Sequence, residues 1–248
     1  MNLKDHNWQI SLGIVLLILS ILVYTFHYLV FRDPHHIFIY LIGDIAFVFI
    51  EVLFVTLIIH SLLTMREKKT RLEKLNMIIG TFFSEVGTDL IDYFSNNDPN
   101  ISNVKKELLI NEDWSEKEFT SMTNRLKQYT CSVDITKIDL PKVRTFLSTK
   151  NDFLLRLLEN PNLLEHESFT ELLQAVFHLA DELEHRKKLK HLSPNDYKHL
   201  ARDIKRAYSQ LVQGWLDYMR YLKKNYPYLF SLAMRLNPFD DHATVEVI

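Results

Sequence analysis

Asp44 and Glu51 stand seven residues apart inside an otherwise apolar run from Ile37 to Leu63. Two helical turns return them to one face, offset by about 20°. A carboxylate in such surroundings is expected to be protonated, paired, or turned to a wet cavity, because apolar surroundings penalise its charged form. Groups of this kind carry protons or cations through membranes, or hold helices together by hydrogen bonds. His27 lies in the preceding apolar run, Ile10 to Phe31. With the two runs antiparallel it falls within about one helical turn of the depth of Asp44 and is its expected partner. Glu51 meets aliphatic residues at its own depth, with Ser20 nearest. A protonated carboxyl or a second subunit is expected to satisfy it.

The second chemical candidate is Glu182-Leu183-Glu184-His185, with His178 and Asp181 one to two turns earlier. A Glu-x-x-His step puts two metal ligands on one helix face, as di-iron helix bundles require. Such sites need a second step, and the nearest imitation, Asp196-Tyr197-Lys198-His199, sits at a helix start. Arg186-Lys187-Lys188 abuts the candidate, and the apolar stripe at Val176, Ala180 and Leu183 points elsewhere. The expected reading of His178, Glu182 and His185 is therefore a solvated face. A phosphoacceptor role for His178 would need a nucleotide-binding partner region, and no such pattern occurs here. No metal, cofactor or catalytic residue is assigned, and the chain is read as something other than an enzyme.

The elements around these residues are helical. At about 1.5 Å per residue, each apolar run is long enough for the roughly 30 Å hydrocarbon core of a bilayer. The first is read as a retained span of residues 10–31, since Arg32-Asp33-Pro34 and a second apolar run follow it in place of a small-residue cleavage site. The second span covers residues 37–63, and Arg32 to His36 form the break. Arg66, Lys68, Lys69, Arg71 and Lys74 cluster after the second span, whereas the break carries only Arg32. The positive-inside rule then puts both termini in the cytoplasm of a multi-pass cell-membrane protein. The lipid bilayer is thus an expected partner.

From Thr64 onward the chain is too polar for lipid. The whole chain's 29 Lys and Arg against 31 Asp and Glu give a net charge of −2, and the part beyond the spans is balanced, without the basic excess of a nucleic-acid binder. Cys131 is the single cysteine, which excludes an internal disulfide or a thiolate-built zinc site. Five glycines and no convincing alternating pattern, outside ambiguous stretches such as Thr130 to Ile138, predict an all-α domain. Leu72, Leu75, Ile79, Phe82, Val86, Leu90 and Tyr93 form one stripe that continues from the second span and stops at Ser95-Asn96-Asn97-Asp98-Pro99. Gly80, Ser84 and Gly87 lie on a neighbouring strip, where small residues admit a second helix, from this domain or across a seam between copies.

Ser115 and Glu118 predict a capping box for a helix to about Tyr129, and Pro141 opens another through Leu157. Phe169 to Leu183 make a wide core-facing stripe, and Ser193-Pro194 start a long helix to Lys224. A shorter helix from Pro227 to Leu236 is expected to pack on the core, and Arg186 to His191 to be a charged, solvated helix end. The predicted organisation is an N-terminal transmembrane helical hairpin (1–63), a cytoplasmic helical bundle (64–236) and a flexible tail (237–248).

Several segments resemble an uncharacterised group of prokaryotic two-span membrane proteins with a cytoplasmic helical domain. They are Gly43-Asp44-Ile45-Ala46-Phe47, Ile50-Glu51-Val52-Leu53, Leu72-Glu73-Lys74-Leu75-Asn76 through Phe83-Ser84-Glu85-Val86-Gly87-Thr88, and Asn237-Pro238-Phe239-Asp240. The resemblance implies the architecture and transfers no activity. Two functions remain open from the sequence. One is a membrane-anchored interaction, scaffold or signalling protein with an unidentified protein partner. The other is a homo-oligomeric proton or cation path using Asp44 and Glu51, since two helices per subunit cannot enclose one alone.

Overall fold

Asp33 sets the first turn of the chain. Its carboxylate accepts hydrogen bonds from the backbone N–H groups of His35 and His36, while Pro34 occupies the first helical position, where its missing N–H costs nothing. Arg32, at φ 50°, ends the preceding helix in the left-handed conformation, its N–H bonded to the Tyr28 carbonyl. The break is therefore Arg32-Asp33 alone, shorter than the expected Arg32 to His36. It joins α1 (Leu3–Phe31) to α2 (Pro34–Phe82).

The computed structural model describes residues 3–129, 131–161, 163 and 166–246. Thr130, Asn162, Val247 and Ile248, on which parts of the sequence reading fall, lie outside them. Among the described residues the chain is all-α, without a strand, and it divides into two units, Met1–Lys68 and Lys69–Ile248. In the first unit, Ser11–Phe31 and the start of α2 are long and apolar enough to cross a membrane, with mean hydropathies of 2.4 and 2.5. Their apolar side chains are exposed, from Leu12 through Leu63.

The second unit buries a continuous core. The end of α2 contributes Leu75, Ile79 and Phe82, then leads through a π turn at Phe83–Gly87 into α3 (Thr88–Ser95). Such a turn inserts one residue into the helical repeat, and here it lets the adjacent Phe82 and Phe83 both be buried. Gly87 has no room for a side chain, since a Cβ there would lie 2.5 Å from Phe83 Cδ1. A short helix, α4 (Ser102–Lys105), runs into a 3-10 turn at Lys106–Leu108.

Next come α5 (Glu116–Gln128), which carries the expected capping box of Ser115 and Glu118, and α6 (Leu140–Thr149), capped by Asp139. The single helix expected through Leu157 is broken at Lys150. There the Thr149 hydroxyl takes the Phe146 carbonyl, the Lys150 N–H turns to Leu147, and α7 (Asn151–Leu158) starts afresh. The apolar faces of α8 (Glu167–Glu184) and α9 (Pro194–Asn225) then pack together. Helix α9 also receives α3, α5 and α10 (Pro227–Arg235). On α10, Phe230 is buried while Tyr228, Leu229 and Leu232 are exposed.

The flexible tail expected at 237–248 needs correction over Asn237 to Asp241. Asn237 is buried and donates to the Leu108 carbonyl, the buried Phe239 ring lies 5.2 Å from Trp215, and Lys105 pairs with Asp241. An isolated aromatic residue gives no periodicity, so its anchoring is invisible to pattern reading. Truncating a buried phenylalanine costs about 3–5 kcal/mol. Phe239→Ala is therefore expected to lower the free energy of urea unfolding of the full-length protein by an amount in that range, and an unchanged unfolding free energy would mean that the segment is not held.

Candidate functional site

Three pairs of side chains form a ladder between α8 and α9. Arg186, just beyond α8, lies 2.6 Å from Asp196; Glu182 lies 3.3 Å from His199; and His178 lies 3.7 Å from Asp203. The descending numbers on one helix against the ascending numbers on the other fix the antiparallel register. On each helix the histidine and the carboxylate are four residues apart, so both point from one face towards the seam. His199 Nε2 also lies 3.2 Å from Asp203 Oδ2, and the ligand atoms of His178, Glu182 and His199 lie within 4.8 Å of one another.

The electrostatics are graded from inside to outside. Asp203 is 3% exposed, and its Oδ2 accepts no hydrogen bond among the described residues. Its other oxygen faces Arg206 at 3.8 Å. Burial pushes the Glu182 carboxyl up, but hydrogen bonds from His199 and Arg186 outweigh it and hold the group below its ordinary value. The Arg186 guanidinium, with Ser193, likewise holds Asp196 low. Arg186 bridges both carboxylates and accepts a hydrogen bond from Arg144 at its own carbonyl. His178, Glu182 and His199 thus bring two imidazole nitrogens and one carboxylate to one place, with the Asp203 carboxylate against both imidazoles.

Of the metal candidates visible in sequence, His178 and Glu182 are brought together and His185 is not. His185 turns to Asp181, 3.1 Å away on its own helix, and both are exposed. The solvated face expected here needs correction at Glu182 and Arg186, whose side chains are largely covered by the ladder. The expected charged, solvated end over Arg186 to His191 is likewise interrupted, by Arg186 and by the buried Leu189. His199 and Asp203 are the residues sequence reasoning missed. Their signal was a second histidine and carboxylate four apart, with the aspartate beside the buried stripe of Leu200 and Ile204. The step weighed instead, Asp196 to His199, is split between two partners.

The other singled-out residues lie apart from this cluster. Asp44 and Glu51 are exposed and make no hydrogen bond or ion pair among the described residues. His27 does not pair with Asp44: its ring contacts Phe31 at 4.7 Å and stacks on His36 at 6.0 Å. Gly80 lies under Tyr218, where a Cβ would come 3.0 Å from the hydroxyl, and Gly87 is covered by Phe82 and Phe83. Ser84 is exposed and lines an apolar groove with Leu229 and Leu232. A separate concavity of 480 Å³ is lined by Asn76, His166, Gln210 and Asp217 among others. Burial raises the Asp217 carboxyl there.

Comparison with known proteins gives two family matches. The family described as "Uncharacterized protein MJ1433, C-terminal helical domain" matches residues 71–235, and "MJ1433, N-terminal helical domain" matches residues 3–63. A protein of Methanocaldococcus jannaschii, described as "Uncharacterized protein MJ1433", is 47% identical over 243 residues, 98% of each chain. No solved structure matches.

The Arg186 bridge generates a pH-dependent prediction. Glu182 and Asp196 are held below their ordinary values of 4.5 and 3.8, so the stability they confer is present above those values and lost as pH falls through the lowered ones. Arg186→Ala removes one partly covered cation and is expected to cost about 1–3 kcal/mol near neutral pH. Urea unfolding should show that deficit shrinking as the pH is lowered below the carboxylate range. A deficit independent of pH would assign the loss to packing of the side-chain stem.

Proposed function

Because the chain belongs to the MJ1433 family, with its N-terminal and C-terminal helical domains, we propose that it is a membrane-anchored helical interaction protein. The first unit is the anchor, two spans with both termini in the cytoplasm. The second unit is the cytoplasmic module that binds a protein partner, as a scaffold or signalling component.

One observation carries the reading. From Leu12 to Leu63 large apolar side chains lie exposed along both helices, while the second unit buries Phe82, Phe94, Tyr208 and Phe239 in a core of its own. Covering an aliphatic or aromatic side chain is worth about 1.5–3 kcal/mol, so dozens left in water would exceed the stability of any domain. A bilayer covers them all at once. The cationic cluster Arg66, Lys68, Lys69, Arg71 and Lys74 supplies the charge asymmetry that holds the end of the second span inside.

A second reading is supported by the unpartnered state of Asp44 and Glu51. Carboxyls on an apolar helix with no partner among the described residues find one in another copy or in water, which is the situation of a homo-oligomeric proton or cation path.

Alkaline carbonate extraction of cells making the full-length protein tests the first reading, with reporters fused at the C-terminus and in the Arg32-Asp33 turn. Retention in the membrane pellet, with a cytoplasmic C-terminal reporter and an external turn, is the expected outcome; release into the supernatant overturns it. Proton and potassium flux into proteoliposomes separates the two functions. Flux that falls in Glu51→Gln and Asp44→Asn would favour the path, and its absence from a correctly inserted oligomer leaves the interaction protein.

A further inference from the structure

Two His-x-x-x-carboxylate steps face one another across the α8 and α9 seam, and we infer that His178, Glu182 and His199 bind one divalent first-row transition ion, with Zn2+ the reference case and the buried Asp203 carboxylate beside it.

The geometry at Asp203 departs from a closed set of hydrogen bonds. Ligands about 2.1 Å from a tetrahedral ion stand about 3.4 Å from one another along the edges of the tetrahedron. His199 lies 3.3 Å from Glu182, and the ligand atoms of His178, Glu182 and His199 all lie within 4.8 Å of one another. A single imidazole N–H serves two carboxylates only as a shared, three-centre bond. Yet His199 Nε2 faces both Glu182 Oε1 and Asp203 Oδ2. Conversely, Asp203 Oδ2 faces two imidazole nitrogens, belongs to a residue that is 3% exposed, and accepts no hydrogen bond among the described residues. A cation held by His178, Glu182 and His199 puts a positive charge beside that buried carboxylate.

The outer oxygens are already engaged. Arg186 holds Glu182 Oε2 at 3.1 Å, and Arg206 lies 3.8 Å from Asp203 Oδ1. Glu182 Oε1 is thereby left for the ion, the orienting role that a second shell has around metal ligands, and Asp203 Oδ2 is turned to the two imidazoles. Imidazole and carboxylate without thiolate suit Zn2+, Fe2+, Co2+ or Ni2+ better than Cu(I). The two histidines are 46% and 43% exposed, which gives the ion a route from solvent and leaves space for a bound water.

Chelator-treated full-length protein titrated calorimetrically with Zn2+ is expected to take up about one equivalent per chain. His178→Gln and His199→Gln, at half-exposed positions chosen to spare the fold and checked by circular dichroism, should each weaken binding by at least roughly tenfold, as loss of even an outer-shell partner does. His185→Gln should bind like the parent. Diethylpyrocarbonate labelling of the parent protein, mapped by mass spectrometry, needs no variant. There Zn2+ should protect His178 and His199 while His185 stays reactive. No uptake of Zn2+, Co2+, Fe2+ or Ni2+ by the folded protein, an affinity in His178→Gln and His199→Gln equal to the parent's, or unprotected His178 and His199 would each reduce the cluster to an ion-pair network and overturn the inference.

Discussion

The second unit depends on the burial of one long helix. Helix α9 runs for 32 residues and presents Leu200, Ile204, Tyr208, Leu211, Trp215 and Leu222 to the core. A helix so broadly apolar cannot be covered by one neighbour. It receives α8 along one side and α3, α5 and α10 around the rest, so the positions of those four follow from its faces. Helices α6 and α7 form a second layer and reach the core chiefly through α8. This arrangement also brings the polar ladder into being, because two apolar faces that must meet leave their flanking residues no choice of partner.

Much of this was legible in the sequence, and what was missed follows a pattern. Helix stripes and caps depend on residues three or four apart, which is why the capping box of Ser115 and the Pro194 start of α9 could be read directly. The partnership of His178 and Glu182 with His199 and Asp203 depends on the register of two helices, a non-local quantity absent from either helix alone. The break at Lys150 escaped for the opposite reason, since it rests on one hydroxyl competing with one N–H for a carbonyl. Phe239 escaped because a lone ring buried against Trp215 carries no period.

Aromatic packing explains the glycines that looked like a surface for a second copy. Tyr218 stacks on Phe83 with ring centres 5.5 Å apart, and the same tyrosine covers Gly80. Small residues therefore make room here for rings of the same domain. The π turn and Gly87 serve the same end, turning Phe83 inward beside Phe82 without tilting either ring against a Cβ.

The ladder also grades the loops it closes. Its first rung, Arg186 with Asp196, spans the connection between α8 and α9, and each later rung encloses a longer segment around the one before. Loop-closure entropy grows with the length of chain enclosed, so the first rung costs least to close alone and the rung at the buried aspartate costs most. The contact that needs the most help from the apolar faces is therefore the one set deepest against them.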